Sequence, residues 1–388
     1  MRKKLKVGFL SFYYPHLGGS GVLATRIAKY LTENGHEAHF IGYDSDSNPE
    51  FLENKGIKLH KVNKVDYPCL KNEPYIWTLA NKVCEVAKKE KLDLIHAHYA
   101  IPHALIAYIA REQLKQEGIN LPYIITGHGS DIHTNGKKED VKAVLQLALN
   151  KANAVTYVAK NLKRIAEKEL NISKKGRHIT NFIDTDHFFP GKTNLRQKYK
   201  IPKKALVIGH VSNFAPIKQT YHFLDLAKSL RKKGTLRLVH FLMCGDGNER
   251  KKLEEEIRKE GLSNYFTFTG RLNQKEVKSV YNAMDVLMIC SSREGCPLVI
   301  LEAMSCETPV IGTRANGIKD LIQNGKNGFL FKIDDIKKLT EIVENLKANR
   351  EVIKKMGETG RARMIKRHSI ESVMRKYYLL YLRLLKEI

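Results

Sequence analysis

Short apolar, β-branched and aromatic runs alternate with segments of helical period along the chain. Leu5 to Ser11 predicts a strand. Val22, Ile27 and Leu31 fall on one face of a helix over Val22 to Glu33, and Glu37 to Gly42 is strand again. Asp93 to Ala97, Tyr123 to Thr126, Ala154 to Val158 and His178 to Thr180 predict further buried strands, with helices over Pro74 to Lys89 and Pro102 to Gln116 between them. The signal weakens over 184 to 204, where Pro190-Gly191-Lys192 and Pro202-Lys203-Lys204 flank a polar stretch. A second series then follows: Ala205 to Val211, Arg237 to Cys244, Phe266 to Thr269, Val286 to Cys290 and Pro309 to Thr313. Such alternation means parallel βαβ units with helices on both sheet faces, so the expected class is α/β, with two doubly wound, Rossmann-like domains. They are expected over 1–190 and 191–370, and the apolar-striped helix over 371–388 (Val373, Tyr377, Leu380, Leu384) needs a surface to cover it. Ligands of these sheets bind outside the carboxyl ends of the strands, which places the expected site in the cleft between the domains.

Composition narrows this picture. The 388 residues are 43% hydrophobic and 28% charged, ordinary for a globular protein of two domains. No run of 18 apolar residues is present, so no membrane span is expected. The stretch after Met1-Arg2-Lys3-Lys4 is short, is broken by Gly8, Ser11 and Pro15, and reads as a first strand rather than a signal peptide. Cys69, Cys84, Cys244, Cys290, Cys296 and Cys306 form no CxxC pair and read as reduced core thiols of a cytoplasmic protein. The net charge of +26 raises nucleic acid, an anionic membrane or a small acidic ligand as partners. Residues 1–200 carry +12 and the remainder +14, so no basic tail explains the excess. No basic patch interleaved with aromatics and no recognised module is present, which argues against nucleic acid. Residues 151 to 200 are the richest, with 12 basic against 4 acidic residues, and Lys160, Lys163, Arg164 and Lys168 share one helical face. Solvated surface is the plain reading of that face; peripheral contact with an anionic membrane is the alternative.

Three loops carry chemistry. Gly18-Gly19-Ser20-Gly21, directly before a helix, suits close approach of an anion to free backbone N–H groups; a plain glycine-rich turn is the other reading. Lys218 follows Ser212-Asn213-Phe214-Ala215-Pro216-Ile217 after a strand end, a place for an ammonium to meet a phosphate; in a chain with 67 basic residues, solvated surface is the plain reading of a lone Lys. Glu294 and Glu302 lie eight apart around Gly295-Cys296-Pro297-Leu298; with Pro297 starting a helix over Leu298 to Ser305, both carboxylates face the cleft. Ionised carboxylates there accept hydrogen bonds from sugar or ribose hydroxyls. His96 and His98, before Tyr99, and the lone Trp77 read as structural, with metal ligation by His-x-His as the second reading. Asp131 reads as a helix cap or as a group orienting its neighbours.

The Glu294-x7-Glu302 block with Glu-Ala-Met, Pro309-Val310-Ile311-Gly312-Thr313 and Asn324-Gly325-Lys326-Asn327-Gly328-Phe329-Leu330 resembles family four of the retaining glycosyltransferases. Gly18-Gly19-Ser20-Gly21, His128-Gly129-Ser130-Asp131, Asn181-Phe182-Ile183-Asp184 and Gly245-Asp246-Gly247 match in order, so the resemblance spans nearly the whole chain. It implies the GT-B fold, with 1–190 as the acceptor-side domain, completed by helix 371–388, and 191–370 as the nucleotide-sugar-binding domain. Residues 18–25, 98–104 and 212–214 are similar to the members that transfer N-acetylglucosamine from a UDP donor to malate.

By that resemblance Gly18, Gly19, Asn213, Leu298 and Glu302 bind the donor, with its diphosphate between Gly19 and Lys218 and its ribose on Glu302. Glu294, Lys218 and His128 are the catalytic candidates. Ser20, Tyr99, Thr126 and Gln146 are the acceptor-side candidates. The pattern departs from the family at Asn213, Ala215, Gln219 and Gln146, where basic residues are usual. A dicarboxylate acceptor calls for a bidentate cation that Gln146 does not supply. The resemblance further implies retention of configuration with neither metal nor cofactor. The partners expected are a nucleotide-sugar donor and a small hydroxy-acid or glycan acceptor, with a homodimer left open. The alternatives are a peripheral-membrane hexosyltransferase acting on a lipid-linked or cell-surface glycan, and a UDP-sugar 2-epimerase.

Overall fold

The computed structural model describes residues 4–11, 19–43, 56–63 and 74–387, with the backbone alone at Gln274 and Lys275. The chain divides into two units, Met1–Asn181 with Glu371–Ile388, and Phe182–Ile370.

In the first unit the strands are β1 (Lys6–Leu10), β2 (Glu37–Tyr43), β3 (Ile57–Val62), β4 (Leu94–His98), β5 (Tyr123–Gly127), β6 (Ala154–Tyr157) and β7 (Arg177–His178). They form one seven-stranded sheet in the order β3-β2-β1-β4-β5-β6-β7, every neighbouring pair parallel. The helices of this unit are α1 (Gly19–Glu33), α2 (Tyr75–Glu90), α3 (Ala100–Gln116), α4 (Glu139–Lys151) and α5 (Lys160–Lys168). Parallel central strands are covered on both faces, and β1, β4, β5 and β6 accordingly read as almost unbroken buried runs. Each fully buried Leu, Ile or Phe in them stabilises by about 1.5–3 kcal/mol relative to its exposed form.

In the second unit β8 (Leu206–Ser212), β9 (Val239–Gly245), β10 (Phe266–Gly270), β11 (Val286–Ile289), β12 (Val310–Thr313) and β13 (Gly328–Phe331) form a six-stranded sheet. Its order is β10-β9-β8-β11-β12-β13, again all parallel. Around it lie α6 (Tyr221–Lys232), α7 (Arg250–Lys259), α8 (Gln274–Ala283), α9 (Leu298–Ser305), α10 (Ile336–Ala348) and α11 (Arg350–His368). Asp335 caps α10 through the Lys338 amide, and Asn349 caps α11 through the Val352 amide.

The last helix, α12 (Ile370–Lys386), belongs to the first unit. Val373, Tyr377, Leu380 and Leu384 are buried, so its apolar stripe has its surface there. The Tyr381 hydroxyl lies 2.7 Å from His96 Nδ1, and the Tyr377 hydroxyl bonds to Thr126 and Thr156.

Three sequence expectations shift. The break between units falls after Asn181, not at 190, because Phe182, Ile183 and Phe188 are buried in the second unit, where the Ile183 amide donates to the His368 carbonyl at 2.8 Å. The strand expected over His178 to Thr180 is the two-residue edge β7, with both residues exposed. Trp77 is 77% exposed on α2 and anchors no core.

Candidate functional site

Each sheet has one point where the chain reverses its direction of growth, between β1 and β4 in the first and between β8 and β11 in the second. The strand ends there leave an open crevice, the place where doubly wound sheets bind ligands.

At the second of these points β8 runs into an extended loop. Ser212 Oγ accepts from the Phe214 amide at 3.0 Å and lies 2.6 Å from His210 Nε2, which fixes the first residues after the strand. Gly245 and Gly247 press on this loop from below: a Cβ on Gly247 would meet the Asn213 carbonyl at 1.9 Å. Asn213 is therefore held outward and exposed while Phe214 is buried beneath it. A single 3-10 turn, Pro216–Lys218, then presents Lys218. The loop after β11 is bonded to this one, since the Ser292 amide donates to the Ile217 carbonyl at 3.1 Å. Lys218 Nζ donates to Glu294 Oε1 at 2.7 Å, with side-chain exposures of 23% and 13%. Gly317, at φ +83°, supports the Glu294 backbone, because a Cβ there would lie 2.2 Å from the Gly295 carbonyl.

Pro297 is the N-cap of α9, and its fixed φ of −68° starts the helix directly behind the loop. The Leu298 and Val299 amides that open α9 precede its hydrogen-bond ladder, which begins where the Ile300 amide donates to the Pro297 carbonyl at 3.2 Å, and they carry the positive end of the helix dipole. One turn further in, Glu302 Oε2 accepts from the Tyr281 hydroxyl at 2.8 Å. Burial and the Glu302 carboxylate together keep that phenol protonated. An ammonium, two carboxylates and a free helix N-terminus thus share one strand-end region, a set suited to a phosphate together with hydroxyls.

At the first unit's crevice β4 ends in His98-Tyr99 and its neighbour β5 in Gly127-His128. His98 Nδ1 lies 3.0 Å from His128 Nε2. Asp131, fully buried, accepts from the amides of Ala100 (2.8 Å), His128 (3.1 Å) and Gly129 (2.7 Å). It clamps both strand ends at once, so the two readings of Asp131 merge: it orients the loop by bonding its amides. Burial lowers His128 and His96 to about 3 and His103 to about 4, and holds His98 well below its usual range, so these imidazoles are neutral at pH 7. Tyr99 sits at φ +68°, and its hydroxyl lies 2.7 Å from Ser130 Oγ. Ser20, half-buried, and Gly19, exposed, open α1; Gly18 lies outside the described residues.

Two acceptor-side candidates are engaged within the protein. Thr126 is completely buried, with Oγ1 2.7 Å from both His96 Nε2 and Thr156 Oγ1. Gln146 donates its Nε2 to the Leu170 carbonyl at 2.7 Å, which holds α4. On α5, Lys160 and Lys168 are exposed, while Lys163 pairs with Glu167 and Arg164 with Glu169, which neutralises part of the basic face. Asp184, in an Asp-x-Asp run, turns its Oδ1 to the amides of Asp186 (3.1 Å) and His187 (2.9 Å). Two participants escaped the sequence reading. His98 had a usable signal in its place beside Tyr99 at a strand end; Tyr281, far from Glu302 in sequence, had none. Among the described residues no helix is long and apolar enough to cross a membrane.

Comparisons with known proteins agree with this layout. Residues 17–187 match the family model described as Glycosyltransferase Family 4, and residues 191–363 that of Glycosyl transferases group 1. N-acetyl-alpha-D-glucosaminyl L-malate synthase of Bacillus anthracis is 31% identical across 99% of this chain and 98% of its own. An uncharacterized glycosyltransferase of Methanocaldococcus jannaschii is 28% identical across 92% of each chain. Among solved structures, a glycosyltransferase from Rickettsia africae superposes with a TM-score of 0.81 at 21% identity, over 99% of this chain and 100% of its own. Anabaena HepE in complex with UDP and glucose gives 0.79 at 21% identity, over 97% and 99%. The fold they share with this chain is the two-domain GT-B glycosyltransferase fold.

Proposed function

The chain belongs to the glycosyltransferase family, and on that premise we propose that it moves N-acetylglucosamine from a UDP-linked donor to L-malate or a closely related small hydroxy acid, with retention of configuration. Glycosyl transfer is its activity; donor, acceptor and stereochemistry are the proposal. The observation that carries it is the Lys218–Glu294 contact of 2.7 Å at the β8–β11 switch point, beside the start of α9. The 31% identity with the malate synthase supports the choice of substrates.

In this reading the donor diphosphate lies against Lys218 and the first amides of α9, with Asn213 and Leu298 lining it. Glu302 holds the ribose. Glu294 keeps Oε1 on Lys218 and offers Oε2 to sugar hydroxyls, so one carboxylate orients both the cation and the sugar. As the bond from the anomeric carbon to the phosphate oxygen breaks, the charge on the leaving diphosphate grows, and fixed donors aimed at it lower the barrier. The acceptor oxygen attacks the same face, and the diphosphate oxygen takes its proton. His128, neutral and held beside His98, donates or accepts hydrogen bonds near the transferred sugar, and Tyr99 and Ser20 face the acceptor. Metal and cofactor have no part in the scheme.

The test is a panel of acceptors with UDP-N-acetylglucosamine: L-malate, other hydroxy acids, inositol phosphate and a polyprenyl-linked glycan. Malate turnover at least tenfold above the rest supports the proposal. Turnover confined to the lipid-linked acceptor replaces it with the peripheral-membrane reading, for which exposed Lys160 and Lys168 are the supporting observation.

A further inference from the structure

At the opposite end of the first sheet, away from the strand ends just described, three side chains converge with no part in glycosyl transfer. His39 on β2 is fully buried. In the parallel register His39 sits beside Lys58 and Ile41 beside His60, so His39 and His60 project from the same face of the sheet, where α2 packs. Glu90, the last residue of α2, reaches the same place. One donor atom from each of His39, His60 and Glu90 lies within 4.8 Å of the others. His39 Nδ1 is 3.0 Å from His60 Nε2 and 3.9 Å from Glu90 Oε2.

We propose that His39, His60 and Glu90 form a binding site for a divalent transition-metal ion, Zn2+ by ligand chemistry, which ties the sheet edge to α2. Two imidazoles and one carboxylate select a borderline ion over Mg2+ or Ca2+, which take oxygen ligands. A tetrahedral ion with bonds of about 2.0–2.1 Å separates its ligand atoms by about 3.3–3.4 Å, between the two distances observed. To admit the ion the two facing nitrogens part slightly and the Glu90 carboxylate closes in.

The outer groups fit as well. His39 Nε2 is buried and has no hydrogen-bond partner among the described residues, while Glu37 Oε2 lies 3.6 Å away. With the ion on Nδ1, the proton resides on Nε2 and faces Glu37, the carboxylate–histidine–metal arrangement that orients metal-bound imidazoles. Lys58 is the placeholder cation. Its ammonium bonds Glu37 Oε2 at 3.1 Å and Glu90 Oε2 at 3.0 Å, and at 52% exposure its side chain is able to swing into water when an ion arrives. The ligands come from the β2–β3 sheet edge and the C-terminus of α2, and water fills the open fourth position.

The experiment is titration of the metal-free full-length protein with Zn2+ against a chromophoric chelator, with melting temperature as a second readout. One ion is expected to bind at micromolar concentration or tighter and to raise the melting temperature, with no response to Mg2+. His60→Ala and Glu90→Gln each weaken binding at least tenfold. Lys58→Gln strengthens it severalfold, a result that a merely structural cluster would not produce. Glycosyl transfer is unchanged in all three. If His60→Ala does not fold, the near-isosteric Glu90→Gln decides. Absence of stoichiometric Zn2+ binding, or equal affinity in wild type and Glu90→Gln, overturns the site.

Discussion

Lys218→Ala separates the catalytic from the structural meaning of the Lys218–Glu294 pair. At 2.7 Å and an effective dielectric of about 20, the gross attraction is roughly 6 kcal/mol, most of it offset by desolvation of two part-buried groups. Removing the ammonium leaves Glu294 unpaired, which costs about 1–3 kcal/mol. That lowers the melting temperature of a unit of this size by about 2–4 °C per kcal/mol. If Lys218 also meets charge that develops on the leaving diphosphate, kcat falls a further ~100- to 1000-fold, the usual cost of losing one such donor. The double variant Lys218→Ala/Glu294→Gln removes the unpaired charge, so it regains the melting temperature and not kcat. The assay is acceptor-dependent UDP release at saturating donor, alongside thermal unfolding of each variant. A kcat for Lys218→Ala within about threefold of wild type refutes the assignment, as does recovery of kcat in the double variant.

Three further outcomes follow from the geometry. Thr126→Val leaves His96 Nε2 and Thr156 Oγ1, now 2.7 Å from Thr126, short of a partner; it should cost about 1–3 kcal/mol in urea unfolding with acceptor KM unchanged. Gly317→Ala puts a Cβ 2.2 Å from the Gly295 carbonyl at φ +83° and displaces the Glu294 loop. Its donor KM should rise at least tenfold, with a stability loss of about 1–3 kcal/mol. His96 and His128, at about 3, and His103, at about 4, have pKa values lowered by burial from 6.5. Below pH 6.5 the unfolded chain takes up protons that the folded chain does not. Stability is therefore full above pH 6.5 and falls as the pH drops toward 4, by roughly 1.4 kcal/mol per pH unit for each histidine. Glu37, lowered to about 2 by its bonds to Lys4 and Lys58, contributes stability that persists above pH 4.5. It is lost only as the pH falls toward 2, so the histidines govern urea midpoints measured between pH 6.5 and 5.

Where burial and turn chemistry act together, the sequence predicted local structure closely. Pro297 at a helix start and an apolar run behind it bounded α9 at Leu298 and Ser305, as observed. β3 carries no clear signal because Ile57–Val62 reads Ile-Lys-Leu-His-Lys-Val, a polar edge strand whose burial comes from its neighbour β2 and from α2 and α1. β13, four residues at the end of a glycine- and asparagine-rich run, is too short to carry a strand signal of its own. Lys218 and Glu294 were each marked by a strand end. Their contact was invisible because it depends on two loops meeting at a switch point of the sheet. Thr126 shows the opposite limit: a threonine closing an apolar strand looks the same in sequence whether it faces a ligand or buried partners such as His96 and Thr156. Histidines 39 and 60 carry no spacing signal, since only the β2–β3 register joins them.

The most direct test of the account is UDP release from UDP-N-acetylglucosamine by the wild-type protein, with and without acceptor, and with the product sugar analysed. Slow release alone, release stimulated at least a hundredfold by acceptor, and an α-linked product are the expected results. Conversion of the donor to its 2-epimer without acceptor, or the absence of acceptor-stimulated release across the panel, contradicts the account.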